Sequence, residues 1–142
     1  MPEKLAANFV DHICIAVKDV KQAEKDYIET FGWEVAYRYV DEPEKIRVTG
    51  FMVGPTALEI MEDLDGSGDV AKFLQRSGEG VMLISLNVDN TRAAMDELKP
   101  KGYPFIGGAR KFRDCEFAFL HPKAVNGVLL ELIDYKWDEL KA

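Results

Sequence analysis

Only two cysteines occur in the chain, Cys14 and Cys115, and no CxxC spacing is present. A disulfide framework and a cysteine-built structural zinc site are therefore not expected, and both thiols read as reduced. Long apolar runs are missing as well. Nowhere do about 18 apolar residues stand together, so no segment reads as a membrane-spanning helix. Met1 to Asn8 carries Glu3 and Lys4 instead of the apolar stretch of a secretory leader. Positive charge is scarce: 18 Lys and Arg face 25 Asp and Glu, a net charge of −7. The averaged field repels phosphate backbones and anionic lipid, so neither nucleic acid nor a membrane surface is an expected partner. No GxGxxG or Walker loop offers a backbone cradle for phosphate. What remains is 47% hydrophobic and 30% charged residues in 142, the balance of one soluble globular domain, expected to be cytoplasmic and to span residues 1–142.

The chain repeats itself. HICIAVKDVKQAEKDY from His12 and LISLNVDNTRAAMDEL from Leu83, 71 positions apart, superpose Ile13 on Ile84, Ile15 on Leu86, Val17 on Val88, Asp19 on Asn90 and Ala23 on Ala94. Each copy opens with the period-two alternation of a half-buried strand. A helix is predicted next, over 20–30 and 91–99, with Asp19 and Asn90 as N-caps and Gly32 and Gly102 as stops. Short β-rich runs follow at 33–40, 45–53 and 57–62, and again at 103–106, 116–120 and 128–133. LEIME at Leu58–Glu62 matches LELID at Leu130–Asp134. The predicted fold is α+β, two βαβββ modules related by an internal pseudo-twofold, with a mixed sheet curled into a cup. Module one covers 9–62, a linker 63–80 carries a short helix over 70–76, module two covers 81–134, and a tail runs 135–142 as a terminal turn or helix.

Alternation sets the faces. Ile13, Ile15 and Val17 are expected under their helix, with His12, Cys14 and Ala16 on the concave side. The same rule buries Leu58, Ile60, Leu130 and Leu132 and turns Glu59 and Glu131 to the concave side. A carboxylate in the middle of an apolar strand is expensive to desolvate unless a partner or a cation compensates. Under the pseudo-twofold, His12, Glu59, Leu83 and Glu131 converge, and three of these four can bind a divalent metal. Taken one at a time, a strand His is also a satisfied core residue and a strand Glu also faces solvent. The repetition of Glu at equivalent positions argues for the shared site.

DHICIAV at Asp11–Val17, GPTALEIME at Gly54–Glu62, VAKFLQRSGEG at Val70–Gly80 and FLHPKAVNGVLLELID at Phe119–Asp134 resemble the vicinal oxygen chelate superfamily of glyoxalases, bleomycin-resistance proteins and dioxygenases. Within it they are most similar to the methylmalonyl-CoA epimerase family, over residues of about 10 to 134. The resemblance implies a divalent metal held by four side chains and inversion at the carbon α to a thioester. His12, Glu59 and Glu131 fall on three ligand positions. The fourth departs from the pattern: the family has a His-His pair after GEG, and here Met82 and Leu83 stand there, leaving residue 83 a vacated ligand position. By the same resemblance Glu131 doubles as ligand and base, and Glu44 in DEPEKIRV is the match for the base on the opposite face.

One imidazole and two carboxylates are a hard, anionic set that favours Mg²⁺, Mn²⁺ or Ca²⁺ over Zn²⁺ or Co²⁺. The identity of the ion, among Mg²⁺, Mn²⁺, Co²⁺ and Zn²⁺, and its occupancy stay open. With only one of the two histidines that a non-haem Fe(II) triad needs, ring-cleaving dioxygenase chemistry is disfavoured. Cys14, on the same face as His12, reads either as an inert buried thiol or as a soft ligand. His121, in the HPK loop, reads as a turn residue. Arg110, Lys111 and Arg113, beside an expected turn at Gly107–Gly108, with Lys123 in the next loop, are candidates for the phosphates of an acyl-CoA substrate or for a solvated basic loop. Two functions remain: an epimerase-like isomerase that moves a proton α to a carbonyl or thioester with metal assistance, or a catalytically degenerate small-molecule-binding module. Exposed sheet edges make a homodimer the expected assembly.

Overall fold

The computed structural model describes residues 6–137. Two compact units emerge, His12–Met82, and Leu83 onward together with the residues up to Asp11. In the first, β1 (Phe9–Ala16) leads to α1 (Val20–Phe31), then β2 (Tyr37–Asp41), β3 (Ile46–Val53), β4 (Thr56–Asp63) and α2 (Asp69–Ser77). Its strands order as β2-β3-β4-β1, with antiparallel hairpins from β2 to β4 and β4 parallel to β1. The second unit holds β5 (Gly80–Asn87), α3 (Thr91–Leu98), β6 (Phe105–Phe112), β7 (Cys115–Leu120) and β8 (Leu130–Ile133). Its order is β6-β7-β8-β5, with β8 parallel to β5. Each is the βαβββ unit expected from the repeat, its last strand returning beside its first.

Local chemistry fixes the helices. Asp19 accepts from the Gln22 N–H at 3.1 Å and Asn90 from the Ala93 N–H at 2.8 Å, so both predicted caps are in place. Gly32 (φ 67°) ends α1 in the left-handed region. Gly102 instead ends a 3₁₀ turn, Lys99–Lys101, that tightens the chain after α3. The final strands supply a second cap to each helix. Glu62 accepts from the Val20 N–H at 3.2 Å, and its repeat counterpart Asp134 accepts from the Thr91 N–H at 3.0 Å. A carboxylate at the positive end of each helix dipole thus ties the end of the module to its beginning. In the linker, Glu79 of the GEG motif accepts from the Lys18 N–H at 2.9 Å and so holds the exit of β1.

The cores repeat too. Val17, Val20, Phe51 and Ile60, with Ile15, Ala23 and Tyr27, fill one side of the first sheet. Val88, Ala94, Leu120 and Leu132, with Leu86, Leu98 and Leu130, do the same in the second.

Three boundaries differ from the sequence reading. β2 begins at Tyr37, because Trp33 packs into the α1 core beside Tyr27 and Phe51. β6 runs on through Gly107–Gly108, which form no turn; the chain absorbs them as a register shift between Ile106 and Arg110. β8 is confined to Leu130–Ile133, after Val128. Of the predicted tail, residues 138–142 lie outside the described residues, and Trp137 donates its indole N–H to Asp11 at 2.7 Å.

Candidate functional site

Register places Tyr37, Gly50, Glu59 and Cys14 in one row across β2, β3, β4 and β1. Residues paired directly across strands point to the same face, so this row presents its side chains together. The face is the one turned away from α1, as the alternation predicted for Glu59. Gly50 makes the row work. A methyl group on Gly50 would overlap the Tyr37 ring, so the missing side chain lets that ring cross β3. Its hydroxyl then donates to Glu59 Oε2.

Glu59 is buried and has several neighbours. Tyr39, stacked on Tyr37 with ring centroids 6.0 Å apart, donates to Glu59 Oε1 at 3.5 Å. Cys14 Sγ stands 3.6 Å from the same oxygen and His12 Nε2 3.9 Å from it. Burial, and then the charge of and hydrogen bond to Glu59, push the Tyr37 phenol far above its ordinary value, which favours the protonated form that donates to Glu59. His12, Cys14 and Glu59 each offer a ligand atom, and those atoms lie within 4.8 Å of one another. An imidazole nitrogen, a sulfur and a carboxylate oxygen, all buried, form a donor set that fits a divalent transition metal.

In the second unit the corresponding row is Ile106, Phe119, Glu131 and Ser85. Glu131 is buried, and the Ser85 hydroxyl donates to its Oε1 at 2.6 Å. Leu83, two residues before Ser85, occupies the place of His12, two residues before Cys14. It is as buried as that histidine, at 5% exposure against 7%.

The remaining candidates lie elsewhere. Glu44 is in the turn between β2 and β3, its N–H donating to Asp41 at 3.3 Å. The strand ends at that turn pair with Asp63, four residues beyond Glu59 on β4, about 13 Å along the strand. Arg110 and Lys111 belong to β6, and the Arg110 guanidinium lies 5.2 Å from the centre of the Phe119 ring. Arg113 occupies the β6–β7 turn (φ 52°) and donates to the Tyr135 hydroxyl at 3.3 Å. Lys123 falls in a 3₁₀ turn headed by His121, whose Nδ1 accepts from the Lys123 N–H at 3.1 Å, so His121 is the turn residue expected.

The model of the Glyoxalase/Bleomycin resistance protein/Dioxygenase superfamily matches residues 11–119. The chain belongs to that superfamily. Among its members, the ethylmalonyl-CoA/methylmalonyl-CoA epimerase of Cereibacter sphaeroides is 33% identical over 128 residues, which cover 87% of this chain and 95% of the relative. The crystal structure of methylmalonyl-CoA epimerase from Mycobacterium tuberculosis matches with a TM-score of 0.88 at 27% identity, over 100% of this chain and 97% of that one. A variant of the Streptomyces coelicolor epimerase, solved with 2-nitronate-propionyl-CoA, matches with a TM-score of 0.85 at 28% identity over 91% and 98% of the two chains. For this superfamily member, Tyr37, Tyr39 and Gly50 are the site residues that sequence reasoning missed. The available signal was a glycine inside an apolar strand, which marks a close approach.

Proposed function

We propose that the chain is an acyl-CoA isomerase of the methylmalonyl-CoA epimerase type, transferring a proton α to the thioester with a divalent metal held by His12, Glu59 and Glu131. The observation that carries this reading is the convergence of His12 and Glu59, buried on the face away from α1, in a chain so similar to acyl-CoA epimerases. When bound, the cation would stabilise the negative charge that develops on the thioester oxygen as the α-proton leaves. Glu131 takes that proton, with Ser85 holding one carboxylate oxygen in a fixed orientation. Glu44, in the β2–β3 turn, is the candidate to return a proton from the opposite face. Tyr37 and Tyr39 fix Glu59, as hydrogen-bond partners of metal-ligating carboxylates do. Arg110, Lys111, Arg113 and Lys123 meet the phosphates of coenzyme A. The same proposal takes the protein as a cytoplasmic homodimer; among the described residues no helix is long and apolar enough to cross a membrane.

Leu83 favours the second reading, a binding module that has lost its chemistry. Exchange of the α-proton of methylmalonyl-CoA in D₂O, followed by NMR, separates the two. We expect metal-stimulated exchange that falls by about 10²-fold or more in Glu131→Gln. Saturable binding of acyl-CoA or another small molecule without exchange would establish the binding module instead.

A further inference from the structure

We propose that Cys14 is itself a ligand of the metal centre and makes it thiophilic, so that Zn²⁺ or Co²⁺ is held in preference to Mg²⁺. This rests on the metal-binding reading above and changes its donor set: His12, Cys14 and Glu59 from one module, with sulfur in the role that the vacated residue 83 cannot fill.

Spacing is the first support. Ligands bound at about 2.0–2.3 Å around a tetrahedral ion stand roughly 3.3–3.8 Å from one another. Cys14 Sγ lies 3.6 Å from Glu59 Oε1 and His12 Nε2 lies 3.9 Å from it, so an ion needs only small side-chain adjustments. Burial is the second, because all three residues are buried on one face of two neighbouring strands and water would compete little for the ion. The third comes from the repeat. In the second module the residue opposite the glutamate is Ser85, and its hydroxyl suffices to hold Glu131. In the first module the Cys14 thiol makes the equivalent contact to Glu59 Oε1 at 3.6 Å, and Tyr37 and Tyr39 also donate to that carboxylate, so Glu59 keeps two donors when the thiol turns to a metal ion. The sulfur stands within 4.8 Å of the ligand atoms of His12 and Glu59, and a thiolate selects borderline and soft cations over Mg²⁺. As the metal–sulfur bond forms, the thiol proton passes to solvent.

The test uses the full chain stripped of metal by a chelator and titrated with Co²⁺, which shows a thiolate-to-metal charge-transfer band in the near ultraviolet only when sulfur is bound. Because Cys115 is the only other thiol, Cys115→Ser leaves Cys14 as the sole source of such a band. We expect the band in the wild type and in Cys115→Ser, and its absence in Cys14→Ser, whose Kd for Zn²⁺ rises on the order of tenfold or more. Co²⁺ binding that raises the melting temperature of Cys115→Ser without the band would overturn the sulfur ligand and leave a metal centre of His12 and carboxylates standing. A chain that binds neither Co²⁺ nor Zn²⁺ would overturn both.

Discussion

At the scale of single residues, the site depends on what Glu59 touches. A buried carboxylate needs compensation, and Tyr37 reaches it only because Gly50 has no side chain in the way. Tyr37→Phe removes one donor while keeping the ring, so metal affinity is expected to fall about 10–100-fold with the fold intact, measured by calorimetric titration. The same substitution has a pH signature. The native state holds the Tyr37 proton more tightly than the unfolded chain does, so above the ordinary phenol value of about 10 the unfolded chain releases a proton that the folded one keeps. Stability is then lost as pH rises. Alkaline unfolding of Tyr37→Phe should show a weaker decline above that value than the wild type; identical profiles would remove Tyr37 from the account.

At the scale of elements, each module is closed by its own last strand. Asp134 accepts from the Thr91 N–H through one oxygen and from the Glu116 N–H, at 2.8 Å, through the other, linking α3, β7 and the end of β8. Asp134→Ala leaves those donors without their carboxylate and is expected to destabilise by about 0.5–2 kcal/mol. Urea unfolding would show this as a lower midpoint at unchanged slope, and an unmoved midpoint would contradict the capping role. These elements were largely legible in the sequence, because caps, alternation and the repeat are local signals. Asp19 and Asn90 announce their helices, and period two alone puts Glu59 opposite Ile60. The tyrosine pair was not legible, since it depends on the register of two successive hairpins, and no local rule places Tyr37 in line with Gly50 and Glu59. The Gly107–Gly108 step misled for the opposite reason. Paired glycines read as a turn, whereas here a strand uses them to shift register.

At the scale of the whole molecule, the two modules share an architecture and divide their chemistry. One carries histidine, cysteine and two tyrosines around its glutamate; the other carries serine on its glutamate and leucine at the repeat equivalent of the histidine. Leu83→His puts an imidazole at the repeat equivalent of His12, and if that position serves as a further ligand the substitution is expected to tighten Zn²⁺ or Co²⁺ binding with little loss of apo stability. If residue 83 is purely a packing position, the new ring would instead cost about 1–3 kcal/mol in unsatisfied polar nitrogen, lower the melting temperature and leave metal affinity unchanged. The metal-binding expectations share one claim, that buried His12 and Glu59 are kept to hold a cation. Its most direct measurement is the metal content of protein purified without chelator, by elemental analysis, for the wild type and Glu59→Gln. The account predicts a stoichiometric divalent metal in the wild type and its loss in the variant. Wild-type protein that is metal-free as purified, and whose melting temperature no added divalent ion raises, would contradict it.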